Sequence, residues 1–331
     1  MVWRWLPIVT LASFLLPVHA GGVGFPEAHA ADARSWLARI HDAANQRNYQ
    51  GTLVFSAGGM LSSSRVAHFA VGDQSFERLE ALDGRQQRIY RMNDAVHTLW
   101  PQSKVAVVEK RGVLSTLPSS TQTVEPRALE LYELKAEGVE RVAGREARVF
   151  VLQPRDEFRY AQRLWADRET GLMLRADVIG HNRQVLESTA FSEVEIGVKP
   201  QPDSVTQAVR RLEGWRVVRP QQQRTQLEAE GWGLDRPVAG FKFAGCVKRS
   251  LDGADASPYN QVLQAVFSDG LTHVSLFVEP YDSRRQMAPL VGQIGATGTL
   301  RQRRGDFVVT VLGDVPAPTL KAFADALERR R

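Results

Sequence analysis

One cysteine, Cys246, stands among the 331 residues, so an internal disulfide is excluded. It sits in Phe241-Lys242-Phe243-Ala244-Gly245-Cys246-Val247, which reads as a strand, and there it serves as a small buried hydrophobe rather than a nucleophile. No phosphate-cradling glycine loop opens a helix. Gly240 to Gly245 and Gly292 to Gly298 have the wrong spacing for one. No Gly-x-Ser-x-Gly elbow is present. Beyond the leader, His41, His68, His97, His181 and His273 never pair at metal-ligating spacing, and none lies beside the cysteine. Glu193 and Glu195 share a wet strand face, where solvation and not acid–base catalysis is the expectation. Catalytic, metal and cofactor sites are therefore all expected to be none. No repeat period appears, and the low-complexity content stops at Gln221-Gln222-Gln223.

Only one long apolar run exists, Leu6 to Val18, preceded by Arg4. It is too short for the roughly 20 apolar residues of a comfortable span. A cleaved secretory signal over residues 1–20 is expected, with a second small-residue cleavage site after Ala30. Lys and Arg exceed Asp and Glu to give +5, a mild bias towards acidic partners. The basic clusters carry no interleaved aromatics, so nucleic acid is not the expected partner.

After the leader, Trp36, Leu37, Ile40, Ala43 and Ala44 recur at helical spacing, with Asp32 as the expected N-cap. The period changes at Tyr49. Tyr49, Gly51, Leu53 and Phe55 alternate with polar or small neighbours, which is strand spacing. Short alternating segments then follow, separated by Gly58-Gly59, Gly72-Asp73, Asp83-Gly84 and Asn93-Asp94. This predicts an antiparallel meander. A second helix is expected over 124–135, after which strands resume to Ile196. Leu172, Leu174, Ala176 and Val178 share one face while Arg175 and Asp177 share the other, as in a sheet packed on one side. About ten consecutive strands tend to curl, and two helices are available to cover the hollow. The expected fold class is α+β: an N-terminal unclosed antiparallel β-barrel over 32–200 with helices in its opening. An Arg/Gln-rich linker over 201–226 and a smaller C-terminal α+β domain over 227–331 follow. That small domain ends in a helix over 319–330, whose terminal arginines suit the negative end of the helix dipole.

The inward apolar candidates are Trp36, Ile40, Leu53, Phe55, Phe69, Phe76, Leu99, Trp100 and Trp165. They are ordinary core or the lining of an acyl-chain pocket; periodicity does not separate the two. The basic residues offered to an anionic polypeptide or lipid head group are Arg216, Arg219, Arg224, Lys248, Arg249, Arg301, Arg303 and Arg304. Oligomeric state, a homo-oligomer included, stays open.

Several segments together carry a resemblance. They are Trp36-Leu37-Ala38-Arg39-Ile40 with Asn48 to Phe55, Tyr90 to Val107, Arg163-Leu164-Trp165-Ala166-Asp167, and Thr170 to Asp177. In the back half they are Arg236 to Phe241, Phe267 to Leu271 and Gly313-Asp314-Val315-Pro316. In order and spacing the chain from about 32 to 330 resembles the RseB/MucB family; the loop 286–296 departs from its pattern. The resemblance implies a periplasmic negative regulator of an envelope-stress sigma factor. Such a protein binds the periplasmic part of a membrane anti-sigma factor, shields it from the site-1 protease, and lets go when it binds lipid or lipopolysaccharide. It also implies a large domain similar to the lipoprotein carriers LolA and LolB. The alternative is a lipid or lipoprotein carrier without a regulatory partner.

Overall fold

The computed structural model of the protein describes residues 26–110, 126–250, 261–283 and 288–330. The expected signal segment lies outside them.

The first helix, α1 (Pro26–Gln46), starts earlier than the apolar stripe suggests. Asp32 is therefore inside the helix and not its cap, while Pro26 has the fixed φ that suits a first turn. The chain then makes β1 (Tyr49–Ala57), β2 (Met60–Val71), β3 (Gln74–Ala81), β4 (Arg88–Met92), β5 (Ala95–Trp100) and β6 (Val105–Lys110). After the Ser/Thr/Pro-rich stretch come β7 (Tyr132–Val142), β8 (Arg145–Pro154), β9 (Ala161–Asp167), β10 (Met173–Ile179) and β11 (Val185–Ile196). The helix expected over 124–135 is replaced by one short 3-10 turn, Pro126–Glu130, and the start of β7. Tyr132 and Leu134 alternate with Glu133 and Lys135, and a ladder from Tyr132↔Pro154 to Val142↔Arg145 prevails over helix propensity.

Between the two halves lie α2 (Asp203–Arg210), β12 (Arg216–Val218) and β13 (Gln222–Thr225). The small module continues with β14 (Trp232–Leu234), β15 (Lys242–Ser250), β16 (Gln261–Ser268), β17 (His273–Pro280), β18 (Leu290–Ile294), β19 (Thr297–Arg304), β20 (Phe307–Gly313), α3 (Ala317–Ala326) and β21 (Leu327–Arg329).

Twelve strands form one sheet in the order β12-β6-β5-β4-β3-β2-β1-β11-β10-β9-β8-β7. Among the described residues the two ends do not pair, so the curl is unclosed. Irregularities in the β1–β11, β10–β11 and β7–β8 ladders add bend where the sheet must turn. Two helices cover opposite faces of it: Phe69 and Phe76 under α2 alternate with Val66 and Leu79, which face the α1 side. Trp36, Leu37 and Ile40 of α1 pack with Tyr132, Phe150, Leu152, Leu164 and Ala166. Val205 and Val209 of α2 pack with Phe69, Phe76, Tyr90, Leu99 and Ala106.

The cationic stretch 201–226 is used by both sheets. Its helix covers the large one, Arg216–Val218 joins that sheet parallel to β6, and Gln222–Thr225 joins the small one beside β15. Arg219, Pro220 and Gln221 lie between the two strands. The small sheet has the order β13-β15-β16-β17-β20-β19-β18, with α3 packed on β19 and β20. The last helix stops at Ala326, because Leu327–Arg329 pairs with Trp232–Leu234. Arg329 is thus in a strand, and the end of α3 is capped by Arg304, whose Nη2 donates to the Ala324 carbonyl at 2.6 Å and whose Nη1 donates to that of Leu327. Cys246 is buried in β15, and burial pushes its thiol up to about 12, so it keeps its proton.

Candidate functional site: an apolar cavity and the seam between the modules

On the face that α1 covers, the space past the end of that helix is not filled. A cavity of about 110 Å³ is lined by Leu53 and Phe55 of β1, Val66 of β2, Leu79 of β3, Ile89 of β4 and Phe191 of β11, with Leu172 to Ala176 closing it from β10. Alternation puts these apolar residues on one face; α1 borders the space only at Ala44, and α2 lies on the other face of the sheet.

The wall also carries polar groups. Arg91, 5 % exposed, pairs with Glu77 at 2.8 Å. The buried Tyr49 phenol is pushed far above its ordinary value, first by burial and then by the Glu77 carboxylate. Its ring stacks on His68 at 5.3 Å and meets Phe191 edge-on. His68 Nδ1 donates to the Arg47 carbonyl at 2.8 Å. Two lining groups, Thr189 Oγ1 and Arg78 Nε, are buried without a hydrogen-bond partner among the described residues. An apolar hollow with unmatched polar atoms in its wall suits an amphiphile better than a pure hydrocarbon.

Of the nine inward candidates, Leu53 and Phe55 line this cavity. Trp36 and Ile40 do not: they fill the sheet farther along, where the first helix lies directly on Phe150 and Leu164. Phe69, Phe76 and Leu99 are core beneath the second helix, and Trp100 is half-buried at the end of its strand. Trp165 is core behind the cavity wall, packed with Leu172, Leu174 and Phe191, and its Nε1 donates to Glu140 at 2.8 Å. The candidates thus fall on two faces: Phe69, Phe76 and Leu99 lie on the side opposite Leu53 and Phe55, and both sides of this part of the sheet are covered by apolar residues.

The eight basic candidates do not form one surface. Arg216 and Arg219 lie at the β12 end of the large sheet and just beyond it. Arg224, Lys248 and Arg249 lie together at the β13–β15 end of the small sheet, where Lys248 is paired with Glu230 at 3.0 Å. Arg301, Arg303 and Arg304 lie towards the other end of that sheet, and Arg304 is taken up in capping α3.

A seam joins the modules, and no local sequence signal marks its centre. Arg159 is fully buried; its Nε donates to Asp269 at 2.8 Å, its Nη2 to the Ala239 carbonyl at 2.7 Å, and its Nη1 to Asp156. Its guanidinium lies 4.7 Å from the centre of the Phe241 ring. Tyr132 donates its hydroxyl to the same Asp269 oxygen at 3.0 Å, while the other oxygen accepts from the Leu271 and Thr272 amides. Gly240 passes so close that a Cβ there would sit 2.2 Å from Arg159 Nη2, and its φ is +76°. At the far end, Thr319 Oγ1 donates to the Phe158 carbonyl at 2.7 Å. There an open groove of about 740 Å³ runs between the modules, lined by Gly58, Tyr160, His181, Leu186, Gln293 and Pro316 among others.

Comparison with known proteins agrees with both modules. Residues 32–209 match the MucB/RseB N-terminal domain and residues 226–328 the MucB/RseB C-terminal domain. The chain is 29% identical over 312 residues to the sigma factor AlgU regulatory protein MucB of Pseudomonas aeruginosa, covering 90% of this chain and 92% of that one. It is 23% identical over 304 residues to the sigma-E factor regulatory protein RseB of Haemophilus influenzae, covering 92% and 93%. The solved Pseudomonas aeruginosa MucA/MucB complex superposes with a TM-score of 0.68 at 26% identity, over 91% of this chain and 99% of that one. MucB in complex with MucA(peri) gives 0.67 at 28%, over 91% and 100%. With both of the family's domains matched in order along its length, this chain belongs to the MucB/RseB family.

Proposed function

We propose that this protein is a periplasmic sensor that holds the periplasmic part of a membrane-spanning anti-sigma factor, shields it from regulated proteolysis, and releases it when an amphiphile such as lipopolysaccharide occupies the large module. The observation that carries the reading is the likeness, across both modules, to MucB solved with MucA. The signal-like leader is consistent with export. The cavity supplies a place for the releasing ligand: its apolar wall takes a hydrocarbon chain, and the Glu77–Arg91 pair and the unmatched Thr189 hydroxyl take polar atoms.

Release requires that ligand and partner favour different arrangements of the protein. The cavity is bounded by β1 and β11, and the turn after β1 at Gly58 and the start of β11 at Leu186 line the groove between the modules. Spreading these strands to admit a chain would therefore disturb the groove directly. Capture of a purified anti-sigma periplasmic segment, with and without lipopolysaccharide, tests the reading. Capture that lipopolysaccharide reverses is the expected result, with matching loss of protection against the protease. No capture in either condition overturns it.

A further inference from the structure

The sheet edges of this molecule are not alike. On the large sheet, β7 exposes Glu133, Lys135, Glu137, Glu140 and Arg141. On the small sheet, β13 exposes Gln222, Gln223 and Arg224. Charged and polar side chains of this kind discourage another chain from pairing. The opposite edge of the small sheet is β18, Leu-Val-Gly-Gln-Ile, with no charge at all. Leu290 is 44% exposed, Val291 76% and Ile294 60%. An uncharged apolar edge strand left open is a template for an added strand.

The neighbouring strand says what kind of segment fits. Leu290 is opposite Arg301 in the ladder, and Ile294 opposite Thr297. Alternation puts Arg301 and Arg303 on the same sheet face as Leu290 and Ile294, away from the helix that Arg304 caps. Arg301 donates to the Ala288 carbonyl, and Arg303 lies 3.7 Å from the centre of the Tyr281 ring and donates to the Gly305 carbonyl. Neither has a carboxylate in ion-pair range among the described residues. The edge also runs into the groove between the modules. Gln293 donates to Tyr160 at 3.2 Å, and a Cβ at Gly58 would lie 3.5 Å from Ile294 Cγ2.

We propose that β18 is the docking edge for an extended segment of the anti-sigma partner. This segment adds as an eighth strand to the small sheet, with apolar side chains beside Leu290 and Ile294 and carboxylates beside Arg301 and Arg303. The inference rests on the reading under Proposed function and specifies how that partner is held. Main-chain hydrogen bonds along the edge provide affinity, and the flanking guanidinium groups select an acidic sequence. A second copy of this chain fits less well, because edge-to-edge pairing would bring the two sets of unpaired guanidinium groups together.

The test uses the full mature chain and the cognate anti-sigma periplasmic segment. Wild type is compared with a Val291→Lys, Ile294→Lys double variant by titration calorimetry, and amide hydrogen exchange is followed across 290–294 with and without the segment. Both positions are exposed, so an unchanged Tm is expected of the variant. The two lysines would strengthen binding that depended on charge alone. The expected result is slowed exchange at 290–294 in the complex and affinity weaker by about tenfold or more in the variant. Equal affinity with unprotected 290–294 amides overturns this inference while leaving the parent reading intact. A variant that changes the oligomeric state but not segment binding assigns the edge to a second copy, which also overturns it. No binding by the wild-type chain removes the parent reading and this inference together.

Discussion

Arg159 of the large module and Asp269 of the small one form an ion pair in which neither side chain meets solvent, with Nε and the carboxylate 2.8 Å apart. The remaining polar atoms of the pair are matched too, by Asp156, Ala239, Tyr132 and the Leu271 and Thr272 amides. A desolvated pair of this kind contributes little as a pair but is costly to break, because the survivor stays buried with its charge. Asp269→Ala is expected to lower unfolding stability by about 3–5 kcal/mol. Replacing both residues, as in Arg159→Met with Asp269→Leu, is expected to recover part of that loss. Denaturant titration of the two variants beside wild type checks it. Equal losses in the single and double variants would mean that the pair is not what holds the seam.

The two groups of inward apolar residues should respond differently to truncation. Ile40 is 1% exposed in solid packing, so Ile40→Ala leaves a new void and is expected to cost about 2–5 kcal/mol. Leu53 already borders empty space, so Leu53→Ala enlarges an existing cavity and is expected to cost clearly less. Chemical denaturation gives both values. For the proposed amphiphile binding the expected order is reversed: Leu53→Ala is expected to change the affinity and Ile40→Ala is not. Displacement of a bound fluorescent amphiphile measures it.

The meander, the unclosed curl and the two-module order were legible because alternation and turn chemistry are local. What escaped was set by partners far along the chain. Asp269 reads as an exposed hairpin residue in Ser268-Asp269-Gly270, yet it is fully buried, because its guanidinium partner comes from 110 positions earlier. Trp36 and Leu53 carry the same hydrophobic signal, and only the span of α1 decides which one borders the cavity. Edge strands β12, β13 and β18 were missed because each is five residues or fewer and pairs with distant sequence or across a tight turn. A window long enough to show a period does not fit inside them.

His273 gives the protein an acid-sensitive term. Burial lowers its pKa, and the nearby Asp314 and Asp269 only partly offset that. With the folded value depressed, the unfolded chain takes up a proton where the folded one does not. The stability contribution is fully present above the ordinary histidine value and is lost as the pH falls from there through the folded value. His273→Gln is expected to flatten the fall in stability over that window. Denaturant midpoints for both proteins, measured on either side of the ordinary histidine value, check the sign. A parallel decline in the two would assign the loss to other groups.

Thr189 is 3% exposed and lines the cavity, and its buried hydroxyl has no hydrogen-bond partner among the described residues. Burying such a group unmatched costs about 1–3 kcal/mol. Thr189→Val keeps the shape of the side chain and removes the unmatched atom. In the empty protein the variant is therefore expected to be as stable as wild type or up to about 2 kcal/mol more stable. If the hydroxyl instead meets a polar atom of a bound amphiphile, the same substitution weakens that complex. The expected pattern is thus opposite in sign: a higher unfolding midpoint without ligand and a smaller ligand-induced rise in midpoint with it. Thermal unfolding of both proteins with and without lipopolysaccharide reads the two quantities together. A variant less stable than wild type in the absence of ligand would show that the hydroxyl is already satisfied, and the polar part of the cavity would then lie with the other lining residues such as Glu77, Arg78 and Arg91.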